Sequence, residues 1–310
     1  MEFKIITSDI ITPDDFDLLK AVALLFYQPE YLNAQNYENP VAFTVFEQSK
    51  LSAAITLNCN DGIATSLNRS PFGSIWMNNK LSKETLHQFL DFIKTELAKM
   101  GIQKIQIICP SPIYAHAPTA EFWIKEGFRA FTHETNQHLI VKGAFDAGLH
   151  QMERRKLKKL RSGKIYFARE LISNDLLSEC HDFIDECRQE QGLKINISID
   201  KLKELCFSMD GRYEVFTARA AETLVAAVIA CRVDQNHLYY YLPATDNRYR
   251  RDSPMVGLLE LIYETCRDEN IQYLDLGISS IDGQLQQGLY DFKQRLGAVQ
   301  TTKSTFYLEW

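Results

Sequence analysis

Apolar residues recur with two spacings along the chain, and the switches between them predict its elements. Phe3–Thr7 reads as a strand, and Thr12-Pro13-Asp14-Asp15 as the capped, acidic first turn of a helix. Val41–Glu47 and Leu51–Cys59 are strands joined by a tight polar turn. Ile63–Met77 is a third strand region, interrupted at Ser70-Pro71-Phe72-Gly73. From Ser82 to Met100, Leu86, Phe89, Leu90, Ile93, Leu97 and Met100 keep helical spacing until Gly101 ends the helix. Ile102–Cys109 reads as a buried strand, Thr119–Glu126 as a second helix and Gln137–Val141 as a strand.

The pattern then breaks. Phe145–Arg161 sets Arg154, Arg155, Lys156, Lys158, Lys159 and Arg161 against only Asp146 and Glu153, which predicts a basic helix stopped by Gly163. After it the first plan returns. Ile165–Glu170 is a strand, and Asp175–Gln191 and Ser198–Met209 are helices. Tyr213–Arg219, Leu224–Val233 and His237–Ala244 are strands. Ser253 caps a helix with Pro254 in its first turn. Gln272–Leu276 is a strand, Leu285–Leu296 a helix ended by Gly297, and Val299–Leu308 the last strand.

The halves read as copies. Ser52-Ala53-Ala54-Ile55 matches Val225-Ala226-Ala227-Val228, and Ile102-Gln103 matches Ile271-Gln272. Glu121-Phe122-Trp123 before Gly127 matches Asp291-Phe292-Lys293 before Gly297. Three matches in order, at nearly one offset, are the signature of an internal repeat. The expected division is residues 1–145, a basic connecting helix over 146–163, and residues 164–310. The copies differ where chemistry could sit: Lys293 stands in place of Trp123, and Asp275 in place of Gln106. The second copy is therefore read as the working one and the first as a degenerate, supporting copy.

Composition narrows the class. The chain has 310 residues, 45% hydrophobic and 24% charged, ordinary for a globular protein. Its net charge of −6 argues against a dedicated nucleic-acid binder. Apolar runs fall well short of the ~18 residues of a membrane helix, and MEFKIITSDI lacks the pattern of a secretory signal. A cytoplasmic location is the expectation. Seven scattered cysteines without CxxC or zinc spacing predict free thiols and no metal.

The order of strand pair, third strand, helix, buried strand, helix and final strand resembles the GNAT (acyl-CoA N-acyltransferase) fold. Two tandem copies resemble its FemAB-like branch. The residues carrying this are Phe26-Tyr27-Gln28-Pro29-Glu30-Tyr31-Leu32, Ser70-Pro71-Phe72-Gly73-Ser74-Ile75 and the tail. The tail reads Tyr273-Leu274-Asp275-Leu276-Gly277-Ile278-Ser279, then Gly288-Leu289-Tyr290-Asp291-Phe292-Lys293-Gln294-Arg295-Leu296-Gly297. It is similar to the family ending D-x-G-x-S followed by G-L-x-x-F-K-x-x-x-G. The implied fold class is α/β (α+β): tandem GNAT-like domains, each a mixed central sheet flanked by helices. The resemblance implies an N-acyltransferase moving an acyl or aminoacyl group from acyl-CoA or aminoacyl-tRNA to an amine bound between the two domains. Acyl-CoA would be a co-substrate, with no tightly bound cofactor. The acceptor would be a small-molecule or peptide amine. Nucleic acid enters only as tRNA.

Site expectations follow. Lys293 matches a lysine implicated in catalysis in Fem-type enzymes and would stabilise the oxyanion of the tetrahedral intermediate. Asp275, a carboxylate in an apolar strand, would orient it or act as base. Tyr241 would protonate the leaving group. Arg248, Arg250 and Arg251, with Ser253, Met255, Val256 and Gly257 at a helix start and Phe292 beside Lys293, would hold the donor. Ser70, Phe72, Gly73 and Tyr114 would line the acceptor side. His116, His133 and His138 show no Ser or Cys partner. In acyl-CoA-binding relatives the turn is [QR]-x-x-G-x-[GA]. Here Arg250-Arg251-Asp252-Ser253-Pro254-Met255 keeps the Arg and loses the small residues. That departure motivates the rival reading, a catalytically inactive ligand- or partner-binding protein of the same fold.

Overall fold

The computed structural model describes residues 1–7, 24–35, 37, 40–78, 81–209 and 211–310. The helix expected at Thr12–Asp15 lies outside them. The chain forms two compact units. One comprises residues 1–135, 282–284 and 301–310, the other 136–281 and 285–300.

The first unit holds strands β1 (Glu2–Thr7), β2 (Pro40–Glu47), β3 (Lys50–Asn60), β4 (Ile63–Ser66), β5 (Trp76–Met77) and β6 (Lys104–Ile108). It also holds helices α1 (Pro29–Ala34), α2 (Lys83–Lys99) and α3 (Ala120–Lys125). Ser82 and Thr119 cap α2 and α3 by accepting backbone N–H bonds from Thr85 and Phe122. The pairs β1–β2, β2–β3, β3–β4 and β3–β5 are antiparallel, and β4 and β6 run parallel through Ile63–Lys104, Ala64–Ile105 and Thr65–Gln106. Leu86, Phe89, Leu90, Ile93 and Leu97 bury one face of α2 in a core with Phe43, Ile55 and Trp123.

Strand β7 runs over Arg129–Ile140, eight residues earlier than the sequence suggests, because its exposed start lacks a clean apolar alternation. Residues 136–140 of β7 count with the second unit. That unit has β8 (Ile165–Glu170), β9 (Tyr213–Ala220), β10 (Thr223–Asp234), β11 (His237–Thr245) and β12 (Tyr273–Ile278). Its helices are α4 (Gln151–Arg161), α5 (Asn174–Gln189), α6 (Ile199–Ser208), α7 (Pro254–Asp268) and α8 (Gln287–Arg295). Two short strands, β13 (Ser280–Ile281) and β14 (Gln284–Leu285), precede α8, and β15 (Val299–Glu309) closes the chain.

Two placements depart from a simple split in the middle. Residues 301–310 count with the first unit, since β15 pairs with β6 from Thr305–Ile108 to Glu309–Lys104. The basic helix α4 is part of the second unit rather than a free connector. Its Leu157 and Leu160 are buried in a core with Val228, Leu258, Leu259 and Ile262.

The parallel pair of the second unit repeats that of the first: β11 meets β12 through His237–Tyr273, Leu238–Leu274 and Tyr239–Asp275. Gln106 and Asp275 thus occupy corresponding ladder positions, as the repeat predicts. The position corresponding to Lys293 is filled in the first unit by the fully buried ring of Trp123.

Candidate functional site

Pairing between β11 and β12 ends at Tyr239–Asp275, yet β11 continues to Thr245 and β12 to Ile278. Beyond that point lies a cavity of about 680 Å³, within the usual range of ligand sites, roughly 300–1,000 Å³. Tyr240, Pro243, Ala244 and Thr245 line it from β11, Leu276 from β12, Met255 and Leu259 from α7, and Phe292 and Lys293 from α8. Its wall also holds Lys156, Arg250 and Arg295, so four cations and no carboxylate line it among the described residues.

Lys293 is the buried residue of α8, 3% exposed. Leu289, one turn earlier, is 44% exposed at the cavity. The helix covers a cavity there, so one turn later it is the lysine that enters the interior. Its Nζ donates to the carbonyls of Gly277 and Ile278, each at 2.9 Å. Burial pulls the ammonium pKa down to about 7, against a smaller opposing pull from Asp275.

Asp275 builds the turn that makes this possible. Its Oδ1 accepts from the Gly277 N–H and from Asn136 Nδ2, both at 2.9 Å. Gly277 has φ +72°, which favours glycine, and a Cβ there would crowd the Tyr239 hydroxyl at 3.1 Å. The chain of contacts runs Asn136 to Asp275 to Gly277 to Lys293. Gln137 adds a second brace: Ser279 Oγ donates to its Oε1 at 2.6 Å, and its Nε2 donates to the Tyr290 carbonyl of α8.

The other expected residues divide. Arg250, Ser253, Met255 and Phe292 line the cavity. Arg248 does not; it is 81% exposed and bound to Asp246, with Nε at 3.1 and 3.0 Å and Nη2 at 2.6 Å. Arg251 is exposed and away from the lining. Val256 is buried in the core, and a Cβ on Gly257 would fall inside the Phe167 ring, so both serve packing. Ser253 stands at the N-cap of α7 without making a cap bond. Its backbone is left-handed, φ 55° and ψ 49°, a conformation that glycine adopts at no steric cost.

Tyr241 faces away from the cavity, its ring beside Tyr213 and Tyr239. Strand alternation makes Tyr240 the lining tyrosine, and burial pushes its hydroxyl pKa up. The residues expected on the acceptor side are packed in the first unit. Phe72 lies between Phe26 and Tyr114, Gly73 sits against Leu67, and Ser70 shares a hydrogen bond with Tyr37 at 3.1 Å. His133 does have a serine partner, Ser304 Oγ at 2.8 Å, invisible at a separation of 171 residues. Burial raises the thiol pKa of Cys59 and Cys187 to about 11, which leaves neither a ready nucleophile.

Sequence reasoning missed Lys156 and Arg295, the first submerged in the basic run and the second two residues past the favoured lysine. It also missed Glu153, counted only as a minority charge. Its spacing was the available signal: Glu153, Leu157 and Leu160 follow i, i+4, i+7 and share the buried face.

A family model described as an acetyltransferase (GNAT) domain matches residues 150–294. A search of curated proteins returns no match. Among solved structures, FemX matches 100% of this chain and 98% of its own at 12% identity, with a TM-score of 0.71. The C-terminal domain of a candidate lysylphosphatidylglycerol synthetase from Agrobacterium fabrum matches 95% of this chain and 91% of its own at 12% identity, TM-score 0.63. A tandem GNAT protein from the clavulanic acid biosynthesis pathway matches 99% and 98% at 10% identity, TM-score 0.55. No helix among the described residues is long and apolar enough to cross a membrane. Residues 150–294 thus match an acetyltransferase (GNAT) domain, and the chain resembles FemX and a tandem GNAT protein in fold along its length.

Proposed function

We propose that the protein is an N-acyltransferase that binds its activated donor in the cavity of the second unit and passes an acyl or aminoacyl group to an amine. The observation that carries this reading is Lys293, a buried lysine held by two carbonyls in a cation-walled cavity with no carboxylate in its described lining. Such a group is costly to bury. A protein that only packed or bound would have an apolar residue there, as Trp123 shows in the first unit.

The chemistry follows from the geometry. The neutral amine attacks the acyl carbon, and negative charge develops on the carbonyl oxygen. With two Nζ–H bonds fixed on Gly277 and Ile278, the protonated lysine has one N–H left for that oxyanion. Asp275 acts through the Gly277 turn as a positioning residue. Tyr240, which keeps its proton, can donate a hydrogen bond to the departing sulfur or oxygen. The carbon–sulfur or carbon–oxygen bond of the donor then breaks as the amide forms, and the proton that the nitrogen loses leaves on the departing thiol or hydroxyl.

The apolar floor of Tyr240, Met255, Leu259, Leu276 and Phe292 suits an acyl chain or an extended thioester arm, and Arg250 suits a phosphate. The non-catalytic reading draws on one observation: Asp252, paired with Lys159, places negative charge at the start of α7, where donor phosphates would need positive charge. The test is calorimetric titration with acetyl-coenzyme A and, in parallel, with aminoacyl-tRNA, on wild type and Arg250→Ala. Saturable binding weakened in the variant is expected for one donor. Binding of neither, at millimolar coenzyme A or micromolar tRNA, refutes a donor site.

A further inference from the structure

Helix α4 carries a carboxylate where its leucine stripe calls for an apolar residue. Glu153 is completely buried, and a charge so placed must be paired. Lys156 Nζ reaches both of its oxygens at 3.1 Å, and Arg295 Nε donates to Oε1 at 2.9 Å. Both cations end in the cavity wall.

The trio carries a net charge of +1, and Arg295 commits only its Nε. Its two terminal nitrogens make no bond among the described residues. A guanidinium gripped by Nε holds those nitrogens in one plane, the fork that matches two oxygens of a carboxylate or phosphate. The backbone fixes the fork as well. His150 N–H donates to the Arg295 carbonyl at 2.8 Å, and a Cβ on Gly297 would overlap the Gly148 carbonyl. The end of α8 and the start of α4 are thereby locked together. This arrangement matches a site built to receive an anion better than it matches a structural ion pair, which would satisfy the guanidinium.

We propose that Arg295, steadied by Glu153 and flanked by Lys156, is a binding subsite for an oxyanion group, phosphate or carboxylate, on the substrate that occupies the cavity. The proposal rests on the cavity being the substrate site, and not on the transfer reaction. It assigns specificity to a wall that the sequence pattern does not mark. Substrates whose anionic group cannot reach this wall bind weakly, whatever their reactive end.

Two probes separate the sources of the anion: inorganic pyrophosphate for phosphate and glutarate for carboxylate, each titrated calorimetrically into the full chain at low salt. The expected result is saturable binding of at least one, weakened about tenfold or more in Arg295→Ala. Arg295→Lys keeps the charge without the fork and should recover only part of the affinity. Arg248→Ala is the control, because that guanidinium is bound to Asp246 outside the cavity; it should change binding less than about threefold. A pyrophosphate response assigns the subsite to a phosphate, and a glutarate response to a carboxylate. Binding of neither probe, or binding indifferent to Arg295→Ala in a variant that melts like wild type, overturns the proposal. If anion binding depends on Arg295 but no acyl transfer is found with any donor, the reaction falls and the subsite stands.

Discussion

Replacing Lys293 by Met should make the protein more stable at low pH and less so, relative to wild type, as pH rises. Burial lowers the native ammonium pKa to about 7 from an ordinary value near 10.5. Between these values the unfolded chain binds more protons than the folded one, so wild-type stability rises with pH across that window. At pH 6 the lysine is charged in both states, and burying it costs about 5 kcal/mol. At pH 9 the folded lysine is neutral, and the cost has dropped to about 2 kcal/mol. Met carries no such cost, but it abandons the Gly277 and Ile278 carbonyls, a loss of about 2 kcal/mol for the two bonds. Lys293→Met should therefore gain about 3 kcal/mol at pH 6 and almost nothing at pH 9. Urea unfolding of both proteins at the two pH values measures this, and the other titrating groups cancel in the difference. Parallel stability curves for wild type and variant would refute the buried, depressed lysine and the mechanism built on it.

Three further outcomes follow from the same geometry. With a low-pKa amine as acceptor, kcat should be level below about pH 7 and fall toward tenfold per pH unit above it, as Lys293 loses the proton that meets the oxyanion; a pH–rate profile rising through pH 7 would assign the lysine to base chemistry instead. Ser253→Gly should stabilise by about 0.5–1 kcal/mol in thermal melts, because it relieves a left-handed serine that makes no cap bond. Gly257→Ala should destabilise by about 1–3 kcal/mol by driving a methyl into the Phe167 ring, and Phe167→Leu in the same chain should recover part of it; a melt that places the alanine variant level with wild type contradicts that packing.

Much of the fold was legible because burial imposes period on sequence. The α2 stripe from Leu86 to Leu97 lies where its spacing predicts, and the helices expected from Ser82, Thr119 and Ser198 begin there, with those residues as N-caps. The repeat was readable because corresponding ladder positions, Gln106 and Asp275, stay in step in both units. Asp275 stood out as a carboxylate in an apolar strand and Lys293 as the residue in place of Trp123, and both are buried. The failures have a common cause, since side-chain direction is set by tertiary contacts that spacing alone does not fix. Tyr240 rather than Tyr241 reaches the cavity because the pleat presents one of the two to α7. Phe72 and Tyr114 look like a ligand wall in sequence, but they pack on each other. Ser253 reads as an ordinary cap until its backbone is seen to be left-handed. Arg295 and Lys156 become a pair only through Glu153, 142 residues away from the arginine.

The central claim is that Lys293 promotes amide formation from a donor held in the second unit. Its most direct test is single-turnover rapid quench with mass detection. The protein is mixed with a pool of amines and either acetyl-coenzyme A or aminoacyl-tRNA, as wild type and as Lys293→Met. The account predicts an amide product from one donor, formed about 10²–10³ times more slowly in the variant, the usual loss when one oxyanion donor is removed. Equal rates in the two proteins, or a bound donor that wild type never transfers, would contradict it.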